Sequence, residues 1–243
     1  MRLLLIDTAD ARGSVAVLEG QNVVHLEAHT SEEDYSGWLL PAVHRSLAKS
    51  GLTLSQFDGY AVCAGPGSFT GLRVGLTTVK AWAEIYGRPT VAVSRLESLA
   101  VSRPEDSATP EPFITTFFDA RRDQVFAALY QQSETGPQRL GEEQVIELSA
   151  FLVKVKSECQ GRAVRWRTPD ATVLTSHPDW QQLANSGHLL ETVTPPFATR
   201  LGSLALQKLH RGETQDALSL DADYVRRSDA ETYWKGNNST FKP

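Results

Sequence analysis

The sequence predicts an α/β fold made of two lobes, each with a mixed β-sheet flanked by helices. Three observations support this prediction. The first hundred or so residues alternate between strand and helix periodicity in the order βββαβαβα, which suits a sheet with helical crossovers. A segment rich in proline and acidic residues, 103–112, then interrupts the pattern as linkers do. After this segment the opening pattern of strand, aspartate, turn and strand recurs.

The elements of the first half follow from periodicity and from turn and cap signals. Three strands with short connections predict an antiparallel meander, and the next two helices end at Gly51 and Gly87. Ser94 and Glu97 form a capping box that opens the last helix of this half. In chain order we predict strands at 2–6, 14–18 and 23–28, a helix at 34–50, a strand at 59–64, a helix at 71–86, a strand at 90–93 and a helix ending at 102.

The second half is less regular. Predicted strands at 113–118 and 125–130 surround Asp119, much as the first two strands surround Asp7. An internal duplication and a chance similarity of two strands both account for this recurrence. In residues 138–192 the sequence pattern predicts only a short helix at 150–157 and a strand near 171–175. An amphipathic helix follows at 198–210, and residues 234–243 have the composition of a frayed tail.

Composition excludes several classes of protein. With 24 Lys and Arg against 29 Asp and Glu, the net charge is −5, which excludes a generally basic surface for nucleic acid. Cys63 and Cys159 stand far apart, so zinc ribbons and CxxC redox motifs are excluded. No apolar segment reaches the length of a signal peptide core or of a membrane span. We therefore expect a cytoplasmic protein without membrane contact.

Residues 65–75, GPGSFTGLRVG, join a predicted strand to a predicted helix and form the most specific motif of the chain. Gly65 and Gly67 permit positive φ or close backbone approach, and Ser68 or Thr70 can cap the helix. The spacing fits neither a P-loop, nor a dinucleotide-binding loop, nor a nucleophile elbow. Two interpretations stay open: a tight structural turn, or a seat for an anion at the free N–H groups of the helix.

This eleven-residue segment resembles the signature of the TsaB family, bacterial relatives of the TsaD and Kae1 proteins. Further similarities occur in the expected order along most of the chain, apart from residues 138–192: Leu5-Ile6-Asp7-Thr8, Leu39-Leu40-Pro41, Asp119-Ala120-Arg121 and Tyr224-Val225-Arg226. The resemblance implies an actin-like, ribonuclease-H-like duplicated fold. Its first lobe would comprise residues 1–102 plus 198–232, its smaller second lobe residues 103–197, and a flexible tail residues 233–243.

The resemblance also implies a function in the synthesis of N6-threonylcarbamoyladenosine beside the tRNA anticodon. It implies a noncatalytic scaffold that forms a heterodimer with a catalytic TsaD-type subunit, works with a TsaE-type ATPase and meets tRNA indirectly. Whether the isolated chain forms a homodimer is left open.

Two departures from the related families bear on chemistry. TsaD-like proteins hold a metal through two histidines four residues apart, and here Arg95 and Leu99 stand at those positions. Neither side chain is a metal ligand, so we expect no metal site and no peptidase activity. Where the TsaB pattern has Gly-Glu-Val-Tyr, this chain has Asp123-Gln124-Val125-Phe126.

The alternative function is that of a small ATPase or kinase with an actin-like fold. Asp7 and Asp119 each close the first strand of a lobe, where kinases hold a metal-bound nucleotide, but both are equally suited to capping turns. Asp10, in the first turn, would repel a phosphate. We expect no tightly bound cofactor and at most a weak contact with ATP or ADP. The candidate residues for nucleotide or anion binding are Asp7, Thr8, Gly65, Gly67, Ser68, Thr70, Gly71 and Asp119.

Two predicted helices, 34–50 and 71–86, carry apolar residues outside the stripe that would pack on the sheet. Their second stripe of small or apolar residues is typical of a protein interface, here with the TsaD-type subunit. Coverage by the second lobe is the alternative. The candidate interface residues are Tyr35, Trp38, Ala42, Val74, Gly75, Thr78, Ala81, Trp82 and Ile85.

The histidines form no recognisable catalytic motif. His25 and His29 have HxxxH spacing, but they lie at the end of a predicted strand and no glutamate directly follows His25. We therefore expect both to face solvent. No serine has the local sequence context of the nucleophile in a Ser-His-Asp triad.

Overall fold

The computed structural model describes residues 1–30, 32–101, 112–134 and 136–225. In these ranges the chain forms two five-stranded mixed sheets with helices packed against them. The predicted tail lies outside the described residues, and so does the predicted linker apart from Pro112.

The first sheet has the strand order β3-β2-β1-β4-β5. Its first three strands form the predicted antiparallel meander, and β4 and β5 run parallel to β1. Parallel neighbours require a crossover, and helices provide it here. The elements are β1 (Arg2–Asp7), β2 (Ser14–Glu19), β3 (Asn22–Ala28), α1 (Tyr35–Ser50), β4 (Gly59–Gly65), α2 (Phe69–Tyr86), β5 (Thr90–Ser94) and α3 (Arg95–Val101).

The second sheet has the order β10-β9-β6-β7-β8. Strands β6, β7 and β8 form an antiparallel meander, and β9 and β10 continue the sheet in parallel. The elements are β6 (Phe113–Arg121), β7 (Gln124–Ser133), β8 (Gly136–Glu147), α4 (Leu148–Glu158), β9 (Arg165–Thr168), α5 (Ala171–Thr175), α6 (Trp180–Asn185), β10 (Leu189–Thr192) and α7 (Ala198–His210).

The two sheets share one topology. In each, the first strand is central, the second and third flank it on one side as a meander, and the fourth and fifth lie parallel on the other side. A chance similarity of two strands does not account for five strands in the same order, so the structure favours the internal duplication. The predicted actin-like, ribonuclease-H-like duplicated fold is confirmed.

Helices α3 and α7 lie between the two sheets. Helix α7 packs against the strands of the first sheet, and α3 packs against β6 to β9 of the second. One hydrophobic cluster therefore runs from Leu5 and Val93 in the first sheet, through Leu99 and Leu201 in the helices, to Phe118 in the second sheet. Helices α1 and α2 cover the outer face of the first sheet, and α4 covers that of the second. The division of the chain into lobes at residues 102 and 197 stays a prediction.

The structure corrects the sequence analysis in several places. The predicted strand near 171–175 is the short helix α5, and strands β8, β9 and β10 lie in the region that predicted little. His29 is buried rather than solvent-facing, with Nδ1 3.1 Å from the carbonyl oxygen of Ala11 and Nε2 2.8 Å from that of Glu33. His25 is half-buried beside Glu27.

Candidate functional site

A cleft of about 570 Å³ lies between the two sheets, at the carboxyl ends of β1, β4 and β6. Its walls are the turn after β1, the glycine-rich loop, Arg95, the end of β6 and residues 223–225. Open α/β sheets bind ligands at the carboxyl ends of their strands, so this cleft is the natural candidate site. The glycine-rich loop and Asp119 line this cleft, whereas Asp7 is fully buried and does not reach its surface.

The glycines of the loop serve close packing against the turn after β1. A Cβ atom on Gly67 would lie 2.3 Å from the carbonyl oxygen of Ala9, and one on Gly71 would lie 2.1 Å from that of Thr8. No side chain fits at such distances. Gly65, with φ of 141°, also faces the carbonyl oxygen of Asp223 at 2.7 Å from an added Cβ. These contacts favour the structural-turn interpretation of the loop.

Polar groups of the loop are also used internally. Ser68 is the N-cap of α2, and its Oγ accepts a 3.3 Å hydrogen bond from the N–H of Gly71. Thr8 Oγ1 donates to the carbonyl oxygen of Gly71 at 2.7 Å. Thr70 is exposed in the first turn of α2. Ser68 therefore caps the helix as predicted, and Thr8 holds the loop rather than pointing freely into the cleft.

Asp7 and Asp119 occupy matching positions in the two sheets and make matching contacts. The Oδ1 atom of Asp7 accepts a 3.0 Å hydrogen bond from the N–H of Ala9, two residues on. The Oδ1 atom of Asp119 accepts a 2.7 Å bond from the N–H of Arg121, again two residues on. Both carboxylates thus cap the turn that follows their strand. The Arg121 guanidinium pairs with the other oxygen of Asp119 at 3.2 Å.

Arg95 lies under the cleft and pairs with two carboxylates. Its Nη1 lies 2.9 Å from Asp10 Oδ2, and its Nε lies 3.8 Å from Asp7 Oδ2. Burial raises the pKa of Asp7, and the charge of Arg95 offsets part of that rise. Burial also acts on Asp10, but the charges and hydrogen bonds of Arg95 and Arg12 outweigh it and leave its pKa well below the usual value. Burial lowers the pKa of Arg95, whereas the two aspartates raise it to a net value above normal.

Arg12 connects this cluster to the second sheet. Its Nη1 donates to Asp170 Oδ1 at 2.7 Å, and its Nη2 pairs with Asp10 at 2.5 Å. The other oxygen of Asp170 accepts the N–H of Asp119 at 2.9 Å. Further along the same boundary, Arg167 of β9 donates to two carbonyl oxygens at the end of α3, at 3.1 and 2.8 Å. Charged hydrogen bonds therefore join the two halves in addition to their shared hydrophobic core.

The turn between β6 and β7 contributes two arginines to the cleft wall. Arg121, Arg122 and Asp123 have φ values of 63°, 56° and 59°, in the left-handed region that non-glycine residues seldom adopt. Glycine, which the sequence analysis expects where Asp123 stands, would adopt this conformation without steric cost. The turn is therefore strained in this chain relative to one that carries glycine there.

A serine and a histidine meet outside the cleft, but not as a nucleophile and base. Ser149 Oγ lies 3.0 Å from His177 Nε2, and His177 Nδ1 accepts the backbone N–H of Asp179 at 3.3 Å. A neutral ring that accepts at Nδ1 carries its proton on Nε2 and donates it to Ser149. A general base needs the opposite tautomer, so this contact does not activate the serine.

The candidate interface residues separate into two groups. Trp38, Ala42, Gly75 and Trp82 are buried in the core over the first sheet, because α1 and α2 lie side by side there. Their side chains offer little surface, contrary to the expectation of an outward stripe. Half-buried Tyr35 accepts the N–H of Gly13 at 3.0 Å and donates to the carbonyl oxygen of Asp10.

The remaining candidates form what we call the outer face of α2: Val74, Thr78, Ala81 and Ile85. Their spacing of i, i+4, i+7 and i+11 places them on one side of the helix. Val74 and Thr78 are half-buried, Ala81 is exposed, and Ile85 is 71% exposed. This smaller set is the part of the predicted interface that the folded chain presents to solvent.

Sequence reasoning missed several residues of the cleft and of the ion-pair cluster beside it. Arg12 and Asp170 carried no recognisable motif, and Arg95 was noted for what it replaces rather than for what it binds. Tyr224, noted as part of a family pattern, packs its ring against Phe69 at 4.8 Å and lines the cleft. A charged residue such as Arg95, directly after an apolar strand and before an apolar helix turn, is the signal that could have identified a buried ion pair.

Comparison with known proteins assigns the family. Residues 26–207 match the family model described as TsaD, tRNA N6-adenosine threonylcarbamoyltransferase. The chain is 30% identical to the tRNA threonylcarbamoyladenosine biosynthesis protein TsaB of Escherichia coli (strain K12), over 97% of each chain. The chain belongs to the TsaB family. It is also 29% identical to TsaB of Bacillus subtilis (strain 168), over 96% of this chain and 98% of that protein.

Solved structures agree with this assignment. A crystal structure from Pseudomonas aeruginosa, of an uncharacterized protein with similarity to peptidase YEAZ, superposes with a TM-score of 0.73 at 28% identity, covering 93% of this chain and 99% of the other. A second structure, YeaZ from Pseudomonas aeruginosa, gives 0.71 at 27% identity, covering 92% and 99%.

Family membership establishes the function in outline: this chain takes part in the biosynthesis of threonylcarbamoyladenosine in tRNA. In the part of the chain that the structure describes, no helix has the length and apolarity to span a membrane. Over the same residues, no three His, Cys, Asp or Glu side chains come together as a metal centre.

Proposed function

We propose that this chain is a noncatalytic subunit that pairs with a TsaD-type catalytic subunit and works with a TsaE-type ATPase in the threonylcarbamoylation of tRNA. The observation that carries the proposal is the internal use of the acidic groups in the cleft. Asp7 and Asp119 cap turns, and Asp7 and Asp10 face Arg95. A general base or metal ligand needs a carboxylate directed at a substrate or ion, and these are directed at the chain itself.

The contacts between the two sheets support the same proposal. Kinases and related ATPases close their lobes around substrate. Here a continuous apolar core, the Arg12–Asp170 pair and the Arg167 bonds to the end of α3 hold the two halves together. Closure would have to break these contacts, so the chain is built as a fixed body rather than a hinged enzyme.

The outer face of α2 supports the pairing with a second subunit. It groups the 71% exposed Ile85 with Val74 and Ala81 on one side of the helix, and grouped apolar side chains at the surface mark interaction sites. We propose that the TsaD-type subunit docks on this face, that tRNA meets this chain through the complex, and that ATP or ADP makes at most a weak contact in the cleft.

The proposal is tested first on the isolated chain. Purified protein should hold no stoichiometric zinc or iron by elemental analysis, and should hydrolyse neither peptides nor ATP above the rate in buffer. In a pull-down from its native cytoplasm it should bring a TsaD-like protein with it. Metal-dependent turnover well above background would contradict the proposal and favour the ATPase or kinase alternative.

A further inference from the structure

Two carboxylates converge beneath the cleft with the guanidinium of Arg95 between them. Arg95 is 1% exposed and Asp7 is fully buried. The Oδ2 atom of Asp7, which faces Arg95 Nε at 3.8 Å, has no hydrogen-bond partner within the described ranges, and neither have Nε and Nη2 of Arg95. Arg95 therefore interacts with Asp7 through the attraction of opposite charges and not through a pair of hydrogen bonds.

The surroundings of Arg95 make its charge important. The rings of Phe118 and Phe197 lie over the guanidinium at 4.3 and 4.9 Å and keep water away from it. Arg12 also pairs with Asp10, but it shares its charge with Asp170. Without Arg95, Asp7 and Asp10 would lie close together with less than one compensating charge, in a place where charges interact strongly.

We propose that Asp7 and Asp10 form a latent site for a divalent cation, which Arg95 fills in the native chain with its own positive charge. Hard divalent cations bind one or two carboxylates and complete their coordination with water, which can enter the space that a truncated Arg95 side chain leaves. Such an ion would supply positive charge at the position that the guanidinium now holds. In the native chain this position is thus closed to Mg²⁺, so the cleft cannot hold a nucleoside triphosphate through a bound Mg²⁺, which agrees with the proposal of at most a weak contact with ATP or ADP.

This proposal rests on the proposed noncatalytic function and adds a reason why the cleft binds no metal ion. Its test measures ion binding by the isolated chain and does not depend on partner binding. If the TsaD-type subunit binds the chain and the ion experiment fails, the latent site is wrong and the pairing stands. If the ion experiment succeeds and no partner binds, the latent site stands and the proposed pairing with a TsaD-type subunit is wrong.

The experiment compares the full-length wild-type chain with Arg95→Ala and Arg95→Lys. Thermal melting is recorded in buffer, with millimolar Mn²⁺, and with millimolar guanidinium, each against NaCl of matched ionic strength. We expect Arg95→Ala to melt several degrees below wild type and to recover with either Mn²⁺ or guanidinium. Wild type and Arg95→Lys should respond to neither, because their site already holds a cation.

A double variant, Asp7→Asn with Arg95→Ala, shows whether the ion binds at the proposed site. It should lose most of the Mn²⁺ response, and calorimetric titration should show one Mn²⁺ bound to Arg95→Ala and none to the double variant. If Arg95→Ala aggregates, Arg95→Gln, which retains volume but not charge, replaces it. No Mn²⁺ response in Arg95→Ala, or in Arg95→Gln where it replaces Arg95→Ala, overturns the proposal, and so does an equal response in wild type.

Discussion

The backbone N–H of Ser68 donates a 2.6 Å hydrogen bond to the carbonyl oxygen of Ala9, which joins the glycine-rich loop to the turn after β1. The absent Cβ of Gly67 makes this approach feasible, since an added Cβ would lie 2.3 Å from the same oxygen. The loop is thus part of the packing between two strand ends, and its sequence specificity has a structural cause.

Gly67→Val should destabilise the folded chain by about 1–3 kcal/mol, because the new side chain forces the loop away from Ala9. For a chain of this length, that loss corresponds to a fall in melting temperature of roughly 2–4 °C per kcal/mol. Thermal melting of the purified variant measures the effect. An unchanged melting temperature would show that the loop is free to move and that close packing is not the reason for the glycine.

Ser68→Ala should cost at most about 1 kcal/mol, the usual value of a helix N-cap. Its Oγ accepts one long hydrogen bond, 3.3 Å, from Gly71. The measurement pairs chemical denaturation with the level of modified tRNA in cells that carry the variant. A fully stable variant that fails to support modification would contradict the structural-turn interpretation and indicate ligand binding at Ser68.

Ile85→Arg should abolish binding to the TsaD-type subunit and leave the melting temperature of the isolated chain nearly unchanged. An exposed helix position tolerates arginine within about 0.5 kcal/mol, whereas an unpaired charge buried in an interface costs several kcal/mol. Thr78→Arg, about two helical turns before Ile85 on the same face, should act likewise. Calorimetry or sizing with the partner gives the affinity.

Val153→Arg is the matched control for that experiment, since Val153 is a 70% exposed apolar residue on α4, against the second sheet. It should bind the partner as wild type does. Normal binding by Ile85→Arg would show that the outer face of α2 is not the interface, and unfolding of Thr78→Arg would place that position in the core.

Glu143 should make the stability of the chain depend on pH. Its side chain contacts Ser94 Oγ across the boundary between the sheets, and burial raises its pKa to about 7 from 4.5, although the bond from Ser94 lowers it. The folded chain holds this proton more tightly than the unfolded chain does. The stabilisation of the folded chain by the protonated Glu143 is therefore fully present below pH 4.5 and is lost as pH rises through 7.

Glu143→Gln, which keeps the acceptor for Ser94 and cannot ionise, should remove this loss. Its stability should match that of wild type near pH 4.5 and exceed it at pH 8 by an amount on the order of 3 kcal/mol at most. Melting curves from pH 4.5 to 8 give the comparison. Parallel curves for the two proteins would contradict the assignment of this pH dependence to Glu143.

The fold of the first half could be predicted because its signals are local. Strand β4 has no charged residue and β1 is apolar between its end residues Arg2 and Asp7, and α1 and α2 end at glycines, Gly51 and Gly87, with φ of 67° and 58°. The second half was harder because β8 is a partly exposed edge strand with polar residues, and α5 is rich in β-branched residues that favour strands. Tertiary packing overrides such weak local preferences.

The sequence pointed to the glycine-rich loop and Asp119, which line the cleft, but not to the burial of Asp7 or to the buried charges around it. Sequence periodicity assigns one face of a helix to the sheet, and it could not show that Trp38 and Trp82 are both buried in the hydrophobic cluster that α1 and α2 form over the first sheet. The pairing of Arg12 with Asp170 joins residues 158 positions apart, a distance at which a single sequence carries no information about contact. Burial of Arg95 depends on both sheets and was invisible for the same reason.

The central claim is most directly tested by reconstituting the modification with purified components. Unmodified tRNA is incubated with a TsaD-type subunit, a TsaE-type ATPase, ATP and an activated threonylcarbamoyl donor, and nucleosides are then quantified by mass spectrometry. Threonylcarbamoyladenosine should form only when this chain is added, and equally well with Asp119→Asn, in which the turn cap remains and the carboxylate is removed. Product without this chain, or its loss with a folded Asp119→Asn variant, would contradict the account of a required but noncatalytic subunit.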